Sequence, residues 1–213
     1  MSGTVIVGIT GASGSVYGLR LCDELLKAGK RVVVVASSVG LGVVREETNL
    51  DLSGVESVAA ARLRELFGVS PEQLTFHSAD NLFAPPASGS SAPDAMVVAP
   101  CSMGTLARIA AGFSATLLER CADVMVKEGR PLVIVPRETP LSAIHLENML
   151  KLARLGVRVV PAMPAFYHQP KTLDDLVDFV VGKVLDTLGV HHELFTRWGG
   201  EAGTGDRGPG TGI

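Results

Sequence analysis

Short β-branched runs alternating with amphipathic stretches of helical length predict an α/β fold. The expected form is one domain, a three-layer sandwich around a parallel, doubly wound sheet. Two observations carry this. The runs are apolar at successive positions, as strands are when helices cover both faces of a sheet. The 213 residues are enough for one full core, and neither an internal repeat nor a linker divides them.

Taken in order, strands are expected over Val5 to Thr10, Arg31 to Ala36, Ala95 to Ala99, Pro131 to Val135 and Val157 to Val160. In the first helical pattern Val16, Leu19, Cys22 and Leu26 recur at helical spacing, and Gly29 stands at its expected stop. The last runs from Thr172 to Leu188, with Leu173, Leu176, Val180, Val184 and Leu188 on one face and Asp174, Asp175 and Asp178 toward solvent. Thr172 is its expected cap, with Asp175 three residues on completing an imperfect capping box. Asn81 to Pro93 is too rich in Pro, Ser and Gly for a helix or a central strand. The domain is expected to span 1–198, followed by a tail over 199–213 that holds seven glycines.

Composition narrows the function. Nineteen basic against 22 acidic side chains leave a formal charge of −3, which gives no reason to expect nucleic acid or an anionic membrane as partner. Mean hydropathy is +0.32, yet no apolar stretch approaches the roughly 18 residues a membrane helix needs. The excess apolar surface is therefore expected at subunit contacts of a homo-oligomer. Cys22, Cys101 and Cys121 are odd in number and never spaced C-x-x-C, which favours a reducing cytoplasm over disulfides or zinc. The strand pattern begins at Thr4 with no basic or cleavable apolar segment ahead of it, so no export signal is expected. The five histidines form no metal-ligand spacing, and no metal is expected.

Four strand ends carry the chemistry. Strand one runs into Thr10-Gly11-Ala12-Ser13-Gly14-Ser15 and then a helix, a combination whose free amides and dipole suit an anion. The spacing is neither G-x-G-x-x-G nor a P-loop. Strand two ends on Ser37-Ser38 where a nicotinamide site would show an acidic residue. Hydroxyls there suit a ribityl chain, which points to FMN, although serines after a strand also serve as plain helix caps. Ala99-Pro100-Cys101-Ser102-Met103-Gly104-Thr105 forms a second hydroxyl-rich turn at a strand's carboxyl end. Pro136-Arg137-Glu138-Thr139-Pro140 sets adjacent opposite charges in a stiff loop. They read equally as a phosphate clamp with a proton carrier or as a surface ion pair. Glu46, Glu47, Lys127 and Arg130 read as solvated charges, Tyr167 as core or interface, and Cys101 as a small buried residue rather than a nucleophile.

These strings resemble the UbiX-type flavin prenyltransferases. The resemblance rests on Thr10 to Ser15 with Tyr17 to Leu21, Ala84 to Ser91, Pro100 to Thr105, Leu132 to Pro140, His145 to Leu150 and Pro161 to Pro170, and it runs from about Val5 to Trp198. It implies a flavodoxin-like or Rossmann-like fold, a homo-oligomer that is often a dodecamer with sites at subunit contacts, and no metal. The implied reaction joins a dimethylallyl group from dimethylallyl monophosphate to N5 and then C6 of reduced FMN, and the product serves a UbiD-type decarboxylase. By resemblance Gly11, Ala12, Ser13, Ser37, Ser102, Met103, Gly104, Thr105 and Arg137 would hold the flavin. Tyr167, Lys183, Lys127 and Arg137 would grip the prenyl phosphate. Ser13 and Glu138 would relay a proton, Glu47 would assist at the flavin, and Lys127 would act beside them.

The chain departs from the family where Lys183 stands for an arginine of some members, and Ser38 for a lysine of others. Two other readings compete, an FMN carrier or chaperone and a direct 4-hydroxy-3-polyprenylbenzoate decarboxylase. The resemblance also sets aside the related flavoproteins that decarboxylate a peptidyl or pantothenoyl cysteine, since those relatives use a histidine after the second strand as base and Ser37 to Thr48 holds none.

Overall fold

The computed structural model describes residues 3–197, and the boundary at 198 with the tail beyond it lies outside them. Among these residues six parallel strands form one sheet: β1 (Thr4–Ile9), β2 (Arg31–Ala36), β3 (Leu74–Ser78), β4 (Ala95–Cys101), β5 (Leu132–Pro136) and β6 (Arg158–Val159), in the order β3-β2-β1-β4-β5-β6. The five strands read from the sequence are all present, and β3 is additional. Its sequence Leu-Thr-Phe-His-Ser buries only one face at the sheet's edge, so it lacks the two-sided apolar run that marks an inner strand.

Among the described residues seven α-helices follow the strands: α1 (Ser15–Lys27), α2 (Ser38–Thr48), α3 (Glu56–Phe67), α4 (Met103–Ala110), α5 (Leu117–Lys127), α6 (Ala143–Arg154) and α7 (Leu173–Leu188). Alternation within the strands divides the core. Val5, Val7 and Ile9 face a cluster with Leu21, Leu25, Leu63, Val180 and Val184 from α1, α3 and α7. Ile6, Met96 and Val98 face Leu106, Leu117, Met125 and Leu152 from α4, α5 and α6. Each such aliphatic side chain, fully buried, contributes roughly 1.5–3 kcal/mol.

Two helical faces differ from expectation. On α1 the buried residues are Ser15, Gly18, Leu21, Cys22, Leu25 and Leu26, while Val16 is exposed. Gly18 turns inward because the helix rests on β4, where a Cβ would stand 2.3 Å from the Ala99 carbonyl oxygen. On α7 the face is Val177, Val180, Val181, Val184 and Leu185, Leu173 is exposed, and Asp178 binds Arg20 at 2.7 Å instead of facing water. The ends agree with the sequence. Gly29 (φ 72°) follows α1 in the left-handed conformation, and Thr172 and Asp175 form the capping box of α7. Residues 81–93 hold only short 3-10 turns at Pro85–Ala87 and Gly89–Ser91. Among the described residues no helix is long and apolar enough to cross a membrane.

Candidate active site at the carboxyl edge

The strand order reverses direction between β1 and β4, and the loops after these two strands open the crevice in which α/β sheets bind ligands. Thr10 locks them together. Its buried hydroxyl donates to the Pro100 carbonyl at 2.8 Å and accepts from the Ser102 amide at 2.8 Å. The sequence signal for this role is a hydroxyl at the end of an apolar strand.

Across this edge lies α2. It is not a crossover helix; α3 performs that role beside β3. Gly11 and Gly40 let α2 lie flat, since a Cβ on Gly11 would stand 2.5 Å from Val39 Cγ1 and one on Gly40 would stand 2.6 Å from the Ile9 carbonyl oxygen. The far end of α2 therefore reaches the N-terminus of α1. There the Glu47 carboxylate accepts from the Gly14 amide (3.0 Å), the Ser15 amide (2.8 Å) and the Ser15 hydroxyl (2.7 Å). Partial burial pushes its pKa up, but the Ser13 and Ser15 hydroxyls and the two amides outweigh burial and hold it below the ordinary glutamate value. Glu47 is exposed, as expected of a solvated charge, but it is bonded to the protein. Within this turn the chain's own Glu47 takes the Gly14 and Ser15 amides, while those of Gly11, Ala12 and Ser13 have no partner among the described residues.

Ser37 and Ser102 act as helix caps, Ser37 Oγ accepting from the Gly40 amide (3.0 Å) and Ser102 Oγ from the Thr105 amide (3.3 Å). These caps take one donor each. The first-turn amides of Ser38, Val39, Met103 and Gly104 have no partner among the described residues, as helix starts require. A row of free amides and hydroxyls at a topological switch point fits an oxygen-rich flavin cofactor. The Thr105 hydroxyl is further held by Ser102 Oγ at 3.0 Å and by Arg108, which pairs with the buried Glu119.

Arg137 and Glu138 do not pair with each other. Arg137 Nε donates to the Ser13 carbonyl (3.1 Å), bringing its guanidinium to the crevice, and Glu138 Oε1 accepts from the Thr139 amide (3.0 Å). The crevice thus gathers Gly11, Ala12, Ser13, Ser37, Ser102, Met103, Gly104, Thr105, Arg137 and Glu138 from the ends of β1, β2, β4 and β5, and Glu47 from the far end of α2.

Lys127 is not among them. It ends α5, whose first amide binds the Ala79 carbonyl at the carboxyl edge (2.7 Å), so the helix carries Lys127 about 15 Å toward the amino edge. There it pairs with Glu128 at 3.2 Å. Tyr167 and Lys183 form a third group against α7. Phe179 lies 5.8 Å from the Tyr167 ring and 5.6 Å from Lys183 Nζ. A hollow of about 320 Å³ lined by Val126, Arg130, Leu132 and Arg158 also opens at the amino edge, away from the crevice.

Burial pushes the Cys101 and Cys121 thiols up to about 12, which suits packing residues rather than nucleophiles. Among the described residues no group of three or more His, Cys, Asp or Glu side chains is placed to hold a metal.

A family model described as Flavoprotein matches residues 2–185. The chain is 56% identical to the flavin prenyltransferase UbiX of Halalkalibacterium halodurans, over 93% of this chain and 95% of that one. The chain belongs to the UbiX flavin prenyltransferase family. A UbiX structure of that family, AnUbiX (PadA1) in complex with FMN and dimethylallyl pyrophosphate, superposes with a TM-score of 0.83 at 37% identity, covering 94% of this chain and 100% of that one. The dodecameric FMN-dependent UbiX-like decarboxylase from Escherichia coli O157:H7 superposes at 0.81 with 43% identity, covering 92% and 100%.

Proposed function

We propose that this protein is a metal-independent flavin prenyltransferase, which transfers a dimethylallyl group from dimethylallyl monophosphate to N5 and C6 of reduced FMN. The observation that carries the reading is the convergence of Ser13, Glu47, Arg137 and Glu138 at the switch-point crevice of a chain belonging to this family.

Reduced FMN supplies the nucleophilic N5 and the ring carbon that closes the new cycle. Gly11, Ala12 and Ser13, with Ser37 and the Ser102 to Thr105 turn, hold it through free amides and hydroxyls. In the transfer the allylic C–O bond breaks and a C–N bond forms, so the barrier falls when the departing phosphate is stabilised as an anion. Arg137, Lys127, Lys183 and Tyr167 supply positive charge and a hydroxyl for that phosphate. Glu138 takes up the proton that N5 releases as the C–N bond forms and, working through Ser13, relays it to the leaving oxygen. Glu47 sits on the Ser13–Ser15 turn as an anion beside the flavin site.

Since the cations stand on three parts of one chain, the complete site takes residues from neighbouring copies in a homo-oligomer, which we assign as a dodecamer. The product is taken up by a UbiD-type decarboxylase.

The decisive experiment is a mass spectrum of the flavin recovered after anaerobic incubation with reduced FMN and dimethylallyl monophosphate. A gain of one C5 unit is expected. Unchanged FMN, with both ligands bound and the diphosphate also inert, would overturn the transferase in favour of an FMN carrier.

A further inference from the structure

The inference deepens the reading above, resting on Lys183 as a ligand of the prenyl phosphate. After α7 the chain turns at Gly189 (φ 67°) and runs back along the helix over residues 190–197. Gly182 makes the return possible, because a Cβ there would stand 2.4 Å from Phe195 Cε1 and 2.7 Å from His192 Cε1. Asp186 ties the return down. Its carboxylate accepts from the Arg197 guanidinium at 2.7 and 3.1 Å and from His192 Nε2 at 3.2 Å. The Leu194 amide donates to His192 Nδ1 (3.2 Å), which leaves Nε2 as the protonated nitrogen facing Asp186. The His192 side chain is 1% exposed.

The fastened strap presents a ring to a lysine. Lys183 Nζ lies 5.2 Å from the Phe195 centroid and 5.6 Å from that of Phe179, and the two rings meet at 5.0 Å. Among the described residues no carboxylate pairs with Lys183. An ammonium held by two π faces is fixed in place but keeps its charge, because a ring quadrupole attracts a cation without neutralising it. A carboxylate partner would have cancelled it. Tyr167 borders the same seat, its ring 5.8 Å from Phe179.

We infer that Phe195 is a positioning residue for the transfer: it holds the Lys183 ammonium, still charged, where it meets the phosphate of the prenyl donor. The strap thereby sets donor affinity without touching the flavin.

The test uses the full chain, anaerobically, with reduced FMN. Phe195→Leu keeps apolar bulk and removes the π face, whereas Phe195→Tyr keeps the face. The leucine variant is expected to raise the KM for dimethylallyl monophosphate about three- to fivefold with FMN affinity unchanged, and the tyrosine variant to stay near wild type. In a Lys183→Met background, Phe195→Leu is expected to add nothing. If Lys183→Met raises the KM and Phe195→Leu does not, Phe195 has no positioning role and the inference falls alone. If Lys183→Met leaves the KM unchanged, the assignment of Lys183 to the phosphate falls, and the inference with it. Arg197→Gln, at the exposed end of the strap, carries the test if the leucine variant does not assemble. The same rise supports the inference, and a wild-type KM overturns it.

Discussion

At Glu47 a carboxylate from the protein occupies the amide nest that the turn after β1 would otherwise offer to a ligand phosphate. Its folded pKa is depressed, so its contribution to stability is present above the ordinary glutamate value and is lost as pH falls through the folded one. Glu47→Gln keeps an acceptor and removes the charge. Because the side chain is exposed, the loss at pH 7 is expected to be only about 0.5 kcal/mol, with the gap to wild type closing in urea titrations as pH falls below the ordinary glutamate value. Glu138→Gln is expected to bind FMN and the prenyl phosphate normally and to turn over about a hundredfold more slowly, by single-turnover flavin absorbance. The residue types of the crevice were legible in the sequence; their partners were not. Periodicity placed Glu47 at the end of a helix, but nothing in it said that α2 lies across the sheet edge, the fact that turns a surface charge into a helix cap.

The elements were legible wherever local rules govern. Two-sided apolar runs gave the five inner or apolar strands, Gly29 gave the end of α1, and the Thr172–Asp175 box gave the start of α7. They failed where tertiary contact decides. An edge strand such as β3 is half-solvated and loses the run that announces a buried one. The inward face of α1 is set by a glycine, which carries no hydropathy signal of its own. That contact yields a sharp contrast between two helical glycines. Gly18→Ala drives a Cβ to 2.3 Å from the backbone oxygen of Ala99, which has no rotamer with which to yield, so a loss of about 2 kcal/mol or more is expected. A Cβ on Gly42 of α2 would meet nothing within 4 Å, and Gly42→Ala is expected to gain about 0.5–1 kcal/mol from helix propensity. Chemical denaturation of the two variants side by side measures both.

On the scale of the whole molecule, the +0.32 mean hydropathy finds its outlet at the surface. Of the twelve residues of α6 only Leu152 is buried, while Ile144, Leu146 and Leu150 are each at least half exposed. Apolar surface of this kind on a helix is what subunit association covers. The distribution of charge leads the same way. Arg137 and Glu138 stand at the carboxyl edge, and Lys127 ends α5 at the amino edge, so within one chain Lys127 lies away from Arg137. If the site takes Lys127 from a neighbour, two inactive proteins can repair each other. Lys127→Met and Glu138→Gln subunits, each nearly inactive alone, are to be unfolded together in equal amounts and reassembled. Random mixing places an intact Glu138 opposite an intact Lys127 in about a quarter of the sites, so roughly a quarter of the wild-type rate should return. Were both residues drawn from one chain, every chain would carry one defect and the mixture would stay as inactive as its parts. Recovered activity therefore locates the reaction at a contact between copies, and its absence would require Lys127 to reach the crevice within its own fold.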